Sequence, residues 1–138
     1  MKRQVQYLTV EDVIAYHDDA IEQAGGAPGI LQPEQLEAAV MAPQATYAGQ
    51  PLFETLADVA AAYAQYLATG HCFVDGNKRT AFTAMLSFLE INGYDLVLDQ
   101  PDTWIDIIER VAVSEMSREE LAEVLASVMG DWGEMERG

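Results

Sequence analysis

Residues 77–92 carry apolar side chains around most of a helical circumference, with Ala81, Ala84, Met85, Phe88, Leu89 and Ile91 spread over more than one face. Such a helix needs cover on several sides, so it belongs at the centre of a bundle and the rest of the chain must supply the neighbours. Leu56, Val59, Ala60, Tyr63, Ala64 and Leu67 recur at three and four residues and describe an amphipathic helix from about Thr55 to Ala68. Val10, Val13, Ile14, Ile21 and Ala24 do the same from about Val10 to Ala24, behind a capping box formed by Thr9 and Asp12. Pro33 suits the first position of a short helix bearing Leu36, Ala39 and Val40, and Pro43 breaks it. Pro101 opens a helix through about Val113, and Ser117 with Glu120 forms another capping box ahead of a last helix to about Met129. The expectation is an all-α fold in one domain spanning residues 1–138, with a loose tail from residue 130.

Between these helices lie three irregular stretches. Gly25-Gly26-Ala27-Pro28-Gly29 stops the first helix. Residues 43–51, with Thr46, Tyr47 and Gly49, lack helical periodicity and form a loop or small hairpin, in which Thr46 and Tyr47 are candidates for a flap over a site. Asn92-Gly93 offers a left-handed helix end, and Tyr94 to Leu98 is an extended connector or a minor strand.

Charge narrows the function. Seven basic residues against 23 acidic ones give a formal net charge of -16, a surface that repels nucleic acid and anionic membrane, so neither is expected as a partner. The single cysteine, Cys72, has no internal disulfide partner, Met1 to Gln6 is not followed by an apolar run, and the expected location is the cytoplasm. Between Gln4 and Glu109 the only cations are Lys78 and Arg79, side by side in the first turn of the central helix. The helix dipole disfavours cations there by about 0.3–1 kcal/mol. A bound phosphate removes the conflict, because free N–H groups, the dipole and both side chains then converge on one anion.

The surrounding residues extend that reading. His71 is placed to take a proton from a hydroxyl attacking a bound nucleotide phosphate, although a lone histidine is otherwise more often a hydrogen-bonded core residue. Phe73 anchors the loop by burying its ring. Asp75 is a candidate ligand for Mg²⁺ bridging nucleotide phosphates, or a helix-cap partner. Gly76 removes a side chain where backbone must approach a phosphate, and Asn77 either caps the helix or bonds a phosphate oxygen. Lys78 and Arg79 neutralise phosphate charge; their structural alternative is a surface pair balancing nearby carboxylates. His17 has no comparable neighbourhood and reads as a surface residue of the first helix, while adjacent His71 and Cys72 are a poor fit to zinc-ligand spacing.

The run His71-x-Phe73-x-Asp75-Gly76-Asn77-Lys78-Arg79-Thr80-Ala81 closely resembles the signature of the Fic/Doc family. Tyr7-Leu8-Thr9, the Gly25 to Ile30 loop, Pro43-Gln44-Ala45-Thr46 and Phe88-Leu89-x-x-Asn92-Gly93-Tyr94 resemble its death-on-curing (Doc) branch, so the likeness covers roughly residues 7 to 98. It implies an all-α Fic fold with the motif between two central helices, a flap beside it, and ATP- and Mg²⁺-dependent modification of a protein hydroxyl. Lys78 stands where most AMP-transferring Fic enzymes have Gly, and Phe82 where they have a second Arg. In Doc-like toxins such substitution accompanies a reversed nucleotide. The implied activity is a kinase phosphorylating a threonine of elongation factor Tu, halting translation. No self-inhibitory Ser/Thr-x-x-x-Glu-Gly/Asn helix is present, which implies restraint by a Phd-type antitoxin. The alternatives are transfer of AMP or another nucleotide moiety by the same His71, and a catalytically degenerate nucleotide-binding or protein-interaction module.

Overall fold

A computed structural model describes residues 4–96 and 101–129. In chain order it contains α1 (Val10–Ala24), α2 (Pro33–Met41), a 3-10 turn (Ala42–Gln44), strands β1 (Thr46–Tyr47) and β2 (Gln50–Pro51), α3 (Leu56–Thr69), α4 (Asn77–Ile91), α5 (Pro101–Ala112) and α6 (Arg118–Met129). The architecture is all-α, and the helix bounds fall within a residue or so of those read from periodicity and caps. The expected loose tail, residues 130–138, and the end of the Tyr94–Leu98 connector lie outside the described residues.

The caps explain the bounds. At α1, the Thr9 side chain accepts the Asp12 N–H while the Asp12 carboxylate accepts the Thr9 N–H, and Thr55 with Asp58 repeats the exchange at α3. Ser117 and Glu120 do so ahead of α6. Each closes two donors that a helix start otherwise leaves open. The hairpin turns through Ala48 and Gly49, both at positive φ, which gives the handedness a two-residue loop needs; Thr46 stands opposite Pro51 and Tyr47 opposite Gln50.

Helices α3 and α4 pack on each other along their lengths; α5 and α6 cover α3 from one side, α2 from another, and α1 lies on α4. Every residue from Val59 to Ala64 is buried, and the run of alanines there lets the neighbouring helices approach closely. Tyr63 and Phe88 meet at 5.3 Å between ring centroids, and the Leu8 N–H donates to the Tyr63 hydroxyl at 2.9 Å. At the far end of α4 the Asn92 amide binds both backbone groups of Gln6, tying the chain's first segment down. This core fixes α3 and α4 rigidly, and the loop between them, residues 70–76, is the one that carries the motif.

Candidate active site

Two layers hold the 70–76 loop. On its outer edge the 25–32 loop lies antiparallel: Leu31 and Gln32 N–H groups donate to the Cys72 carbonyl, Val74 N–H donates to the Gly29 carbonyl, and Ile30 pairs with Phe73. The Gln32 side chain adds a bond to the His71 carbonyl at 2.9 Å. On its inner side Phe73 is buried as expected, with its N–H and C=O both taken by the Asn77 amide at 3.0 Å. Asn77 thus folds back to brace the loop, so its side chain's hydrogen bonds go to Phe73 rather than to the helix start.

His17 corrects the sequence reading. It is 2% exposed, not on the surface: its ring stacks on Phe73 at 3.8 Å and 6°, and its Nε2 lies 2.7 Å from the Asp75 carbonyl oxygen. The signal was present in the spacing, since His17 stands four residues from both Val13 and Ile21 and shares their face. The lack of motif residues around it in the sequence is what points to the surface. Gly76 has a packing reason of its own. At φ +78 it favours glycine, and an added Cβ would meet Ile21 at 3.2 Å and His17 at 3.6 Å, so the close approach there comes from α1.

Above this support lies a cleft of about 560 Å³ lined by His71, Asp75, Gly76, Asn77, Lys78 and Arg79 on one side and by Ile105, Glu109 and Ala112 of α5, with Val113 just beyond it, on the other. His71 is exposed and sits at φ +50, a left-handed conformation uncommon for a residue with a side chain. Asp75 accepts the Gly76 N–H on one oxygen and the Ala27 N–H on the other; these two bonds, the first above all, hold its carboxyl below the usual aspartate range and keep it ionised. Gly26 leaves room for it: a Cβ there would come within 2.7 Å of Asp75 Oδ2.

Helix α4 opens on Gly76 with no side-chain cap, and among the described residues nothing accepts the N–H groups of Asn77, Lys78 and Arg79. Nor does any described carboxylate lie within ion-pair distance of Lys78 or Arg79, so the surface-pair reading finds no support there. Arg79 instead reaches the α1 end through long contacts of 3.5 Å to the Ala20 carbonyl and 3.4 Å to that of Gly25. The arrangement suits an anion: three open N–H groups, a positive dipole end and two cations share one mouth. Among the described residues no three potential metal ligands cluster. A lone, ionised carboxylate fits Mg²⁺ that draws its remaining ligands from phosphate and water.

The hairpin bearing Thr46 and Tyr47 forms, but neither residue lines the cleft. The α5 wall was not foreseen. Its only sequence trace is that Ile105 and Val113 fall off the buried stripe of Trp104, Ile108 and Val111 and remain exposed. Burial pushes the Cys72 thiol up, which leaves it a poor nucleophile beside the site.

Comparison with known proteins identifies relatives of the chain. Residues 7–89 match the Fic/DOC family. The chain is 36% identical over 126 residues to a protein of Escherichia phage P1 named protein kinase doc, covering 91% of this chain and 98% of the relative. It is 40% identical over 122 residues to a protein of Mycolicibacterium smegmatis named toxin Doc, covering 88% and 92% respectively.

Proposed function

This chain belongs to the Fic/DOC family, and on that premise we propose that it is a Doc-like toxin that moves the γ-phosphoryl group of ATP to a threonine hydroxyl of a target protein. Elongation factor Tu is the target by family likeness, and arrest of translation the consequence. The relatives' names, one a kinase and one a toxin, support this reading. The observation that carries it is the mouth of α4, where open N–H groups, Lys78, Arg79, ionised Asp75 and exposed His71 border a single cleft.

In this reading the phosphate oxygens lie against the N–H groups of Asn77, Lys78 and Arg79. The two side chains neutralise their charge, with Arg79 as a fork and Lys78 as a point charge. Asp75 would hold a magnesium ion, which would supply positive charge to neutralise the transferring phosphoryl group. His71 accepts the threonine proton as the hydroxyl oxygen attacks the γ-phosphorus; the bond from that phosphorus to the β,γ-bridging oxygen breaks and ADP departs. Catalysis is then positioning and charge neutralisation, which is what loose phosphoryl transfer requires. Phe82, where AMP-transferring relatives would place a second Arg, is half-buried against the core, and this favours the kinase over AMP transfer. The domain is taken as residues 1–138, working in the cytoplasm and restrained by a Phd-type antitoxin whose C-terminal segment folds on the toxin.

Incubation with elongation factor Tu and ATP labelled separately on the α and γ phosphates tests the assignment. Label from the γ position on a threonine is expected; α-label on the target would mean AMP transfer, and no label would leave only a binding module.

A further inference from the structure

The most unusual buried group outside the proposed chemistry is His17. A carbonyl oxygen only accepts, so the 2.7 Å contact to the Asp75 carbonyl requires that His17 Nε2 carry the proton. Its Nδ1 faces the exposed Asp18 carboxylate at 3.7 Å, beyond hydrogen-bonding range. One face of the ring lies flat on Phe73, and its edge lies 3.6 Å from where a Cβ on Gly76 would stand, so the stacking holds the ring in the plane that makes the bond.

The bonded carbonyl belongs to the Asp75–Gly76 peptide. In a planar trans peptide the N–H points opposite to the C=O, and here that N–H donates to the Asp75 carboxylate at 2.9 Å. Fixing one end of the unit therefore fixes the other. The next peptides along are the start of α4, whose first intrahelical bond runs from Thr80 N–H to the Gly76 carbonyl.

We infer that His17 is a positioning residue: by donating Nε2–H to the Asp75 carbonyl while stacked on Phe73, it sets the orientation of the Asp75–Gly76 peptide and so aims the Asp75 carboxylate and the open end of α4 into the cleft. The catalytic consequence rests on the proposed phosphoryl transfer, whereas the structural part stands without it. Two substitutions separate donor from bulk. His17→Phe keeps an aromatic face on Phe73 and removes the donor. His17→Gln keeps an N–H near the same reach and removes the ring.

Amide hydrogen exchange on the purified full chain reads the loop directly, and steady-state transfer reads the chemistry. His17→Phe is expected to exchange about tenfold faster at the Val74 and Thr80 amides, with Val59 and Leu121 amides unchanged. It should lower kcat by about tenfold or more while nucleotide KM moves less than about threefold. His17→Gln should recover most of the protection and most of kcat. Wild-type exchange and turnover in His17→Phe overturn the inference, and so does a Gln variant no better than Phe. If the wild-type chain transfers no phosphoryl group, the exchange arm still decides His17's role, and the failure belongs to the proposed reaction alone.

Discussion

Helices α3 and α4 lie side by side at the centre of the molecule and begin in opposite ways. At α3, Thr55 and Asp58 satisfy one another's backbone donors; at α4, Gly76 offers no side chain, and among the described residues nothing accepts the first three N–H groups. α1 and α6 are closed like α3, and α2 opens on Pro33, which has no N–H to satisfy. A side-chain cap contributes about 0.5–2 kcal/mol, so leaving it out of a central helix, and adding two cations where the dipole opposes them, destabilises the chain alone and favours an anion. Among the described helix starts, α1, α3 and α6 carry side-chain caps while α2 and α4 carry none, and of these two α4 places two cations in its first turn, beside His71, where α2 places Glu34.

Substitutions can break that contrast. The largest effect belongs to His71→Ala, expected to cut transfer by about 10²–10⁴-fold with the thermal midpoint nearly unchanged, because the side chain is exposed; activity within a few-fold of wild type would remove His71 as the base. Phe73→Ala strikes the support beneath the open start and should cost about 3–5 kcal/mol in urea unfolding, with transfer lost as well; a stable but inactive protein would show the loop to be independent of the core. Mg²⁺ with ATP at a hundred times its Kd should stabilise the wild type by about 2.7 kcal/mol. Replacing both Lys78 and Arg79 by Ala should remove most of that gain, and an undiminished shift would place the nucleotide elsewhere.

Thr55→Ala acts on the closed start and should cost about 1 kcal/mol while leaving the nucleotide-induced gain intact. The smallest effect concerns pH. Bonds from Ser117, backbone first and hydroxyl second, hold the Glu120 carboxyl below the usual glutamate range. A depressed folded value means stabilisation that is present above the ordinary range and is lost as pH falls through the folded value. The thermal midpoint of Glu120→Gln should therefore lie below wild type at neutral pH and meet it in acid. A gap that persists in acid would mean that packing, not the carboxylate's cap, is responsible.

The helices were legible because caps and apolar spacing act within a few residues. Thr9 and Ser117 announce their starts locally, and the Val59–Leu67 pattern announces its face, whereas the Thr55 cap was visible only in the structure. The motif residues were legible as chemistry, since cations at a helix start need an explanation. What escaped was contact between distant segments. His17 looked solvent-bound because its value depends on Phe73 and Asp75, which only the packing of α1 on α4 brings near. Asn77 looked free for a ligand because its partner, Phe73, is reached by a backward turn. The α5 wall escaped because Ile105 and Val113 gain meaning only once the opposite bank is known.

The 25–32 segment is exposed and rich in glycine, the kind of stretch where a tag or a spliced module is usually inserted without harm. Here it is the splint of the working loop: Gly29, Leu31 and Gln32 are bonded one by one to Val74, Cys72 and His71. Adding or deleting a single residue there slips that pairing by one step and carries the imidazole with it, so for anyone re-engineering this chain the segment is part of the blade and not of the handle.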